Sequence, residues 1–292
     1  MRCLDRSQIG METTIDESKM LLGAIDMHVH SSPDVIPRRL DDLAVVAEAR
    51  AAGMRAIVLK NHCCATCSRA YLLNSLQGDV KVFGGLVLND TVGGLNPRAV
   101  EAALKMGGDE IWMPTKSAAN HQRFFGGRSG LTVLNGVALR DEVREIVRLI
   151  ADAGAILATG HLSPEESRIL IEHALAAGVR RISVTHPEWG VTAMPVESQQ
   201  QLAQTGGVFF ERCLISTQPG FKYTVPFDVV VRQIRSVGVE TTIAATDHGM
   251  PQTATPVEAM RSYVRQLAAA GFTPEEISRM VRDNPARLLR LP

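Results

Sequence analysis

The residues with the most chemistry in their spacing are His28 and His30, in the run Asp26-Met27-His28-Val29-His30. On an extended strand, alternation places Asp26, His28 and His30 on one face and Met27 and Val29 on the other. Two imidazoles two residues apart on one face can grip a single metal ion. The preceding Leu21-Leu22-Gly23-Ala24-Ile25 is short and apolar, as a buried strand should be, and Ser31-Ser32-Pro33-Asp34 reads as a loop. The pair thus ends a core strand, where α/β folds carry their chemistry. Other donors close other apolar runs: His161 after Ala158-Thr159-Gly160, His186 after Val184-Thr185, and Asp247 after Ala245-Thr246. A lone histidine at a strand end is more often structural. Four histidines and an aspartate at one position of a repeated pattern point to a metal site, with Zn²⁺ favoured and Mn²⁺ or Fe²⁺ also compatible.

The elements that must position these groups follow a rhythm. From residue 21 onward, a helical pattern ends in Gly and a short apolar run follows. Gly53 precedes Ala56–Leu59, Gly78 precedes Val80–Leu88, and Gly107-Gly108 precede Ile111–Met113. Gly154, Gly178, Gly206-Gly207 and Gly238 introduce four more runs. Glycine supplies the left-handed residue that ends a helix. The runs are continuous rather than alternating, as strands covered on both faces should be. Ser163-Pro164-Glu165-Glu166 and Thr273-Pro274-Glu275-Glu276 carry the capping signals of helix starts. Seven such units plus the first strand give eight βα repeats, which predicts a (β/α)8 TIM barrel, regular or distorted. A doubly wound sheet is the alternative, but no G-x-G-x-x-G follows the first strand. Residues 21–292 read as one domain behind a polar arm, 1–20, with a short helix near Ile15–Met20. The longest irregular stretch, Ser117–Asn135, reads as a lid or binding loop.

Composition narrows the function. Lys+Arg and Asp+Glu balance at 31 each and aromatic residues are 4%, which argues against a nucleic-acid or anionic-membrane surface. Five cysteines in 292 residues are no disulfide framework. No apolar run approaches the roughly 20 residues that span a bilayer. The N-terminus lacks the apolar stretch of a secretory signal, so a cytoplasmic setting is expected. A small-molecule substrate is the expected partner; an apolar helix face leaves a homo-oligomer open.

Further candidates flank the set. Lys60 emerges from the second apolar strand, where an unpaired ammonium is costly, and shares a face with His62. His62 reads as a substrate contact or an orienting group. Arg38, in the first loop with Arg39, can hold a substrate carboxylate or be a solvated surface cation. His121 lies in the long loop and is a candidate substrate contact. Glu211 ends the seventh strand and either touches substrate or braces a neighbour. Cys63-Cys64-x-x-Cys67 lacks the second pair that a zinc knuckle needs and reads as packing.

The set Asp26-x-His28-x-His30, His161, His186 and Asp247, with Asn284-Pro285-Ala286-Arg287-Leu288-Leu289 near the end, resembles the amidohydrolase superfamily of metal-dependent hydrolases. The resemblance covers about residues 21–291. It implies one or two divalent metals, a water they activate, and Asp247 as both ligand and proton acceptor. It also implies that a carboxylated lysine bridges the metals in binuclear members. Lys116, on the expected fourth strand, and Lys60 compete for that role, and Lys60 is preferred. The activity implied is hydrolysis of an amide, cyclic amide or lactone. Histidinol-phosphatase-like phosphoesterases are the second reading, although Asp247-His248 departs from their Asp-x-His and Asn89-Asp90 only partly matches their third-strand acid. A metal-dependent decarboxylase on the same scaffold is a third. A non-enzymatic binding protein is disfavoured because the donor set is intact.

Overall fold

The structure, a computed structural model, describes residues 19–76, 78–127 and 129–292. The expected arm and its short helix lie outside the described residues as far as position 18. Eleven strands follow: β1 (Ile25–Val29), β2 (Ala56–Leu59), β3 (Lys81–Phe83), β4 (Gly85–Val87), β5 (Glu110–Trp112), β6 (Leu134–Asn135), β7 (Ala138–Leu139), β8 (Ile156–Ala158), β9 (Ile182–Thr185), β10 (Val208–Cys213) and β11 (Thr242–Ala245). All but the β6–β7 hairpin pair in parallel.

These pairings run round a ring of eight positions, as the repeat count predicts. One arc is β1-β2-β3 and the other is β4-β5-β8-β9-β10-β11. The arcs meet twice. β3 and β4 are a single strand interrupted at Gly84, because Thr66 enters there. Its hydroxyl donates to the Leu59 carbonyl (2.7 Å) and accepts from the Gly85 N–H (2.9 Å). A side chain at Gly84 would run into the Thr66 backbone. At the other seam, the Asp247 N–H donates to the His28 carbonyl and the His30 N–H to the His248 carbonyl, each at 2.9 Å. Gly249, with φ 141°, lies so close to the His30 carbonyl that a side chain could not fit.

The continuous apolar runs are explained by two buried faces. Inward residues such as Met27, Val58, Trp112, Ala158, Phe209 and Ala245 fill the barrel, and Leu288 and Leu289 pack with them. Outward residues such as Ile57, Leu59 and Ala244 pack on helices Asp42–Ala51 and Pro256–Ala269. On the other side Ile111, Leu157 and Val184 pack on helices Pro97–Lys105, Asp141–Ala153 and Pro164–Ala176. Both predicted capping boxes form, and Thr255 with Glu258 makes a third.

One expectation needs correction. The stretch 117–135 is not a structureless loop: Ala119–Phe125 is a helix and Leu134–Asn135 starts the hairpin. The helix has no side-chain cap, and backbone bonds from Ala119 N–H to Leu131 O and from Leu131 N–H to Ser117 O tie its start in place, both at 2.7 Å. Among the described residues, no helix is long and apolar enough to cross a membrane.

Candidate metal centre

The two leading histidines reach the site through a break in strand geometry. Pairing between β1 and β2 shifts register between Asp26 and Val29. Ile25 and Met27 belong to the barrel interior, whereas Val29 belongs to the outer cluster. With Ile25 and Met27 inward, strict alternation would have sent Val29 inward and Asp26, His28 and His30 outward. The irregularity re-aims His28 and His30 toward the rim, as β-bulges do next to sites. The predicted shared face with Asp26 does not form in that sense. Asp26 is buried and accepts from the Thr246 N–H (3.0 Å) and hydroxyl (2.5 Å), clamping β1 to the end of β11.

Asp247 lies at the focus. Its Oδ1 is 3.0 Å from both His28 Nε2 and His30 Nε2, and its Oδ2 is 3.4 Å from His186 Nε2. His186 and Asp247 both adopt φ 52°, a left-handed conformation uncommon outside glycine that turns each side chain out of its strand. Burial would raise the Asp247 pKa, but His28 and His30 hold it well below the usual carboxylate range. Burial pushes His30 down to about 3 and His186 to about 4, and lowers His161 and His62 well below the ordinary imidazole value. The rim thus presents neutral imidazoles beside an ionised carboxylate, which is the protonation state that metal ligands require.

His28 is different. Burial opposes its charge, yet Asp247 and Glu211 raise its pKa. Glu211 Oε1 is 2.6 Å from His28 Nδ1, and the glutamate is fully buried. The Glu211 carboxylate accepts a hydrogen bond from the His28 Nδ1–H, and in the neutral ring this leaves the Nε2 lone pair directed at the site. Glu211 does not line the cavity, so of its two readings, substrate contact or brace, its position beneath His28 favours the brace.

Among the described residues, two donor groups have the compactness of a metal site: His28, His30 and Asp247, and His28, His186 and Cys213. The first fits better. Burial and the adjacent Glu211 push the Cys213 thiol well above its ordinary pKa, so it remains a protonated donor 3.3 Å from Glu211 Oε1.

The other predicted residues separate into distinct positions. His161 and His186 face each other with ring centroids 5.7 Å apart. His121 Nδ1 is 2.9 Å from His161 Nδ1. His62 stacks on His30 at 4.9 Å. Its Nδ1 is 2.8 Å from Thr115 Oγ, which also accepts from the Asn89 amide at 2.8 Å. The Thr115 proton is then free to donate to Nδ1, leaving His62 protonated on Nε2. Lys60 is buried, and its Nζ, 5.2 Å from the Trp112 ring centre, has no hydrogen-bond partner among the described residues. Lys116 lines the mouth of the cavity and is exposed, without the burial of Lys60. Arg38 pairs with Asp34 at 2.7 Å, and its Nη2 lies 3.4 Å from His30 Nδ1.

His28, His30, His62, His161, His186 and Asp247 open, with Arg38, Lys116 and His121, onto one cavity of about 390 Å³, and Lys60 lies behind its lining. Sequence reasoning missed its walls: Trp189, Phe125, Phe221, Lys222, Ile215 and Met250. Trp189 follows His186 by three residues and packs edge-on to His161 at 5.1 Å, so its proximity to a candidate ligand was the available signal.

A profile described as a family of unknown function (DUF6282) matches residues 23–211. No curated protein matches the chain. Solved structures share its fold. A Pseudomonas aeruginosa amidohydrolase superposes with TM-score 0.66 at 12% identity, covering 94% of this chain and 97% of that one. An organophosphorus hydrolase from Deinococcus radiodurans gives 0.62 at 15%, covering 92% of each chain. A 2,6-dihydroxybenzoate decarboxylase from Rhizobium gives 0.54 at 11%, covering 92% and 99%. The chain has the fold of the amidohydrolases.

Proposed function

The chain belongs to the family of unknown function DUF6282, and we propose that it is a metal-dependent hydrolase acting on a small polar substrate, most consistent with an amide, cyclic amide or lactone. The observation that carries this reading is the convergence of His28, His30, His161, His186 and Asp247, carried at or just beyond the ends of four different strands, on a single cavity.

His28, His30 and Asp247 would hold the first ion, with His161 and His186 facing it. If a second ion binds, Lys60 is our choice for the bridging ligand, as a carbamate. That form removes the buried ammonium for which the structure offers no acceptor. When bound, a divalent ion supplies an acidified water and polarises the scissile group. Asp247 then takes the proton of the attacking water on its carboxylate and passes it to the leaving group. His62, protonated on Nε2 through the Thr115 and Asn89 chain, donates to the developing oxyanion. Arg38 and His121 border the space left for substrate.

The phosphoesterase reading is weaker. Asn89 spends its carbonyl oxygen on the Thr115 and Ser117 N–H groups (2.9 and 3.1 Å), and Asp90 is exposed on Ser117. Neither lines the cavity. The test is the Asp247→Asn protein, assayed with amides, lactones, phosphate esters and carboxylic acids that can lose CO₂. Loss of turnover with metal retained is expected; full activity overturns the assignment. A signal from ¹³C-bicarbonate carried by the wild type and lost in Lys60→Arg is expected if the bridge is a carbamate.

A further inference from the structure

We infer that the substrate of this cavity is a flat, apolar ring bearing a carboxylate; the inference rests on the hydrolase reading of the same site and adds its substrate class. Charge comes first. Three cations line the cavity, Arg38, Lys116 and Lys222, against one carboxylate, Asp247, which is engaged by imidazoles. Arg38 is already matched by Asp34. Lys116 and Lys222 are exposed at the mouth, and no acid pairs with either among the described residues. Two unmatched ammonium groups over a partly desolvated cavity favour an anion.

Shape comes second. The chain has only 2 Trp, 3 Tyr and 8 Phe, yet Phe124, Phe125, Trp189, Phe221 and Tyr223 gather on this side of the barrel. Phe125 stacks on His121 at 4.3 Å and 12°. Trp189 lies 6.1 Å from Phe125 and 5.6 Å from His186. This wall leads from the mouth to the candidate ligands. Ile36, Ile215 and Met250 complete the apolar lining. A ring lying against such a wall buries its faces, gains the aromatic offset-stacking contribution, and brings its substituent over the donors. The Lys222 ammonium sits 5.5 Å from the Phe125 ring centre, so the anionic group and the ring face are recognised side by side.

Trp189 makes the test direct, because the other tryptophan, Trp112, is fully buried inside the barrel. The metal-loaded protein is titrated with benzoate, benzamide, cyclohexanecarboxylate and acetate while tryptophan fluorescence and heat are recorded. Benzoate is expected to bind, with benzamide and acetate each weaker by about tenfold or more, the weight of one charge-assisted bond or one buried ring. The Lys116→Ala, Lys222→Ala double variant should lose about tenfold toward benzoate and nothing toward benzamide. Trp189→Leu should weaken benzoate and leave acetate unchanged. Equal affinity for benzamide and benzoate, or no effect of the double variant, overturns the inference. Turnover of the hydrolase panel is measured in parallel. Benzoate selectivity without any hydrolysis refutes the hydrolase reading alone, whereas hydrolysis with no preference for ring carboxylates refutes the inference alone.

Discussion

Replacing Glu211 by Gln should weaken metal binding without disturbing the shape of the cavity. The substitution is nearly isosteric at a fully buried position. Glu211 Oε1 accepts from His28 Nδ1 at 2.6 Å, its Oε2 is 3.2 Å from Ser183 Oγ, and the Cys213 thiol is 3.3 Å from Oε1. Glutamine can still accept from His28, but through a neutral oxygen. A charge-assisted bond contributes about 1.5–3 kcal/mol and a neutral one about 1 kcal/mol, so the loss is about 0.5–2 kcal/mol. The amide NH₂ must also face groups that are now donors. Both effects make His28 a poorer and less fixed ligand, and with the misplaced amide added to the weaker bond metal affinity should fall about 5–30-fold, overlapping the range of about 10–100-fold seen when partners of ligating histidines are removed. Competition against a fluorescent Zn²⁺ chelator reads this directly. Affinity within twofold of wild type would refute the bracing role. A raised KM with unchanged metal affinity would instead restore the substrate contact that the sequence suggested.

Other perturbations probe separate parts of the argument. Thr115→Val removes the group that fixes the His62 tautomer, and kcat should drop roughly tenfold or more with metal affinity unchanged; an unaltered kcat would exclude His62 as the oxyanion donor. Thr246→Val leaves the buried Asp26 carboxylate without its 2.5 Å partner and should cost about 1–3 kcal/mol in chemical denaturation. Burial lifts Asp109 from 3.8 to about 6 against the opposing charge of Arg181. Its penalty is absent below both values, grows as pH rises from about 4 to 6, and is complete above that. Asp109→Asn should therefore be neutral near pH 3.5 and stabilise the fold at pH 8 by up to about 3 kcal/mol, which urea titrations at both pH values check.

How much of this was legible in the sequence depends on what each signal needed. His161, His186 and Asp247 could be placed because each follows an apolar run, and a closed parallel barrel brings all strand ends to one rim. Lys60 could be ranked above Lys116 because it directly follows Leu59, and the structure buries the first and exposes the second. The β1 irregularity was hidden, since it is a property of pairing with β2 and not of the residues Asp26–Val29 alone. Glu211 was given the correct strand but placed at its end; β10 runs on to Cys213, so Glu211 lies two residues inside the strand and beneath His28. The helix Ala119–Phe125 lacks both apolar periodicity and a capping side chain, so nothing local announced it. Trp189, Phe125 and Phe221 lie in segments without period, where wall-forming residues carry no pattern.

The seam between β1 and β11 has a consequence for how the chain is held shut. His28 and His30 sit on one side of it and Asp247 on the other, joined by backbone hydrogen bonds and by the Asp26–Thr246 clamp. An ion shared by these residues would tie positions roughly 220 residues apart, closing nearly the whole barrel as one loop. By chain-entropy arithmetic such a tie restricts the unfolded chain by about 5 kcal/mol, as much as a long-range disulfide. Chelation should then open the molecule first at its oldest and newest strands, those made at the beginning and the end of synthesis, and the same ion that enables chemistry would act as the clasp of the ring.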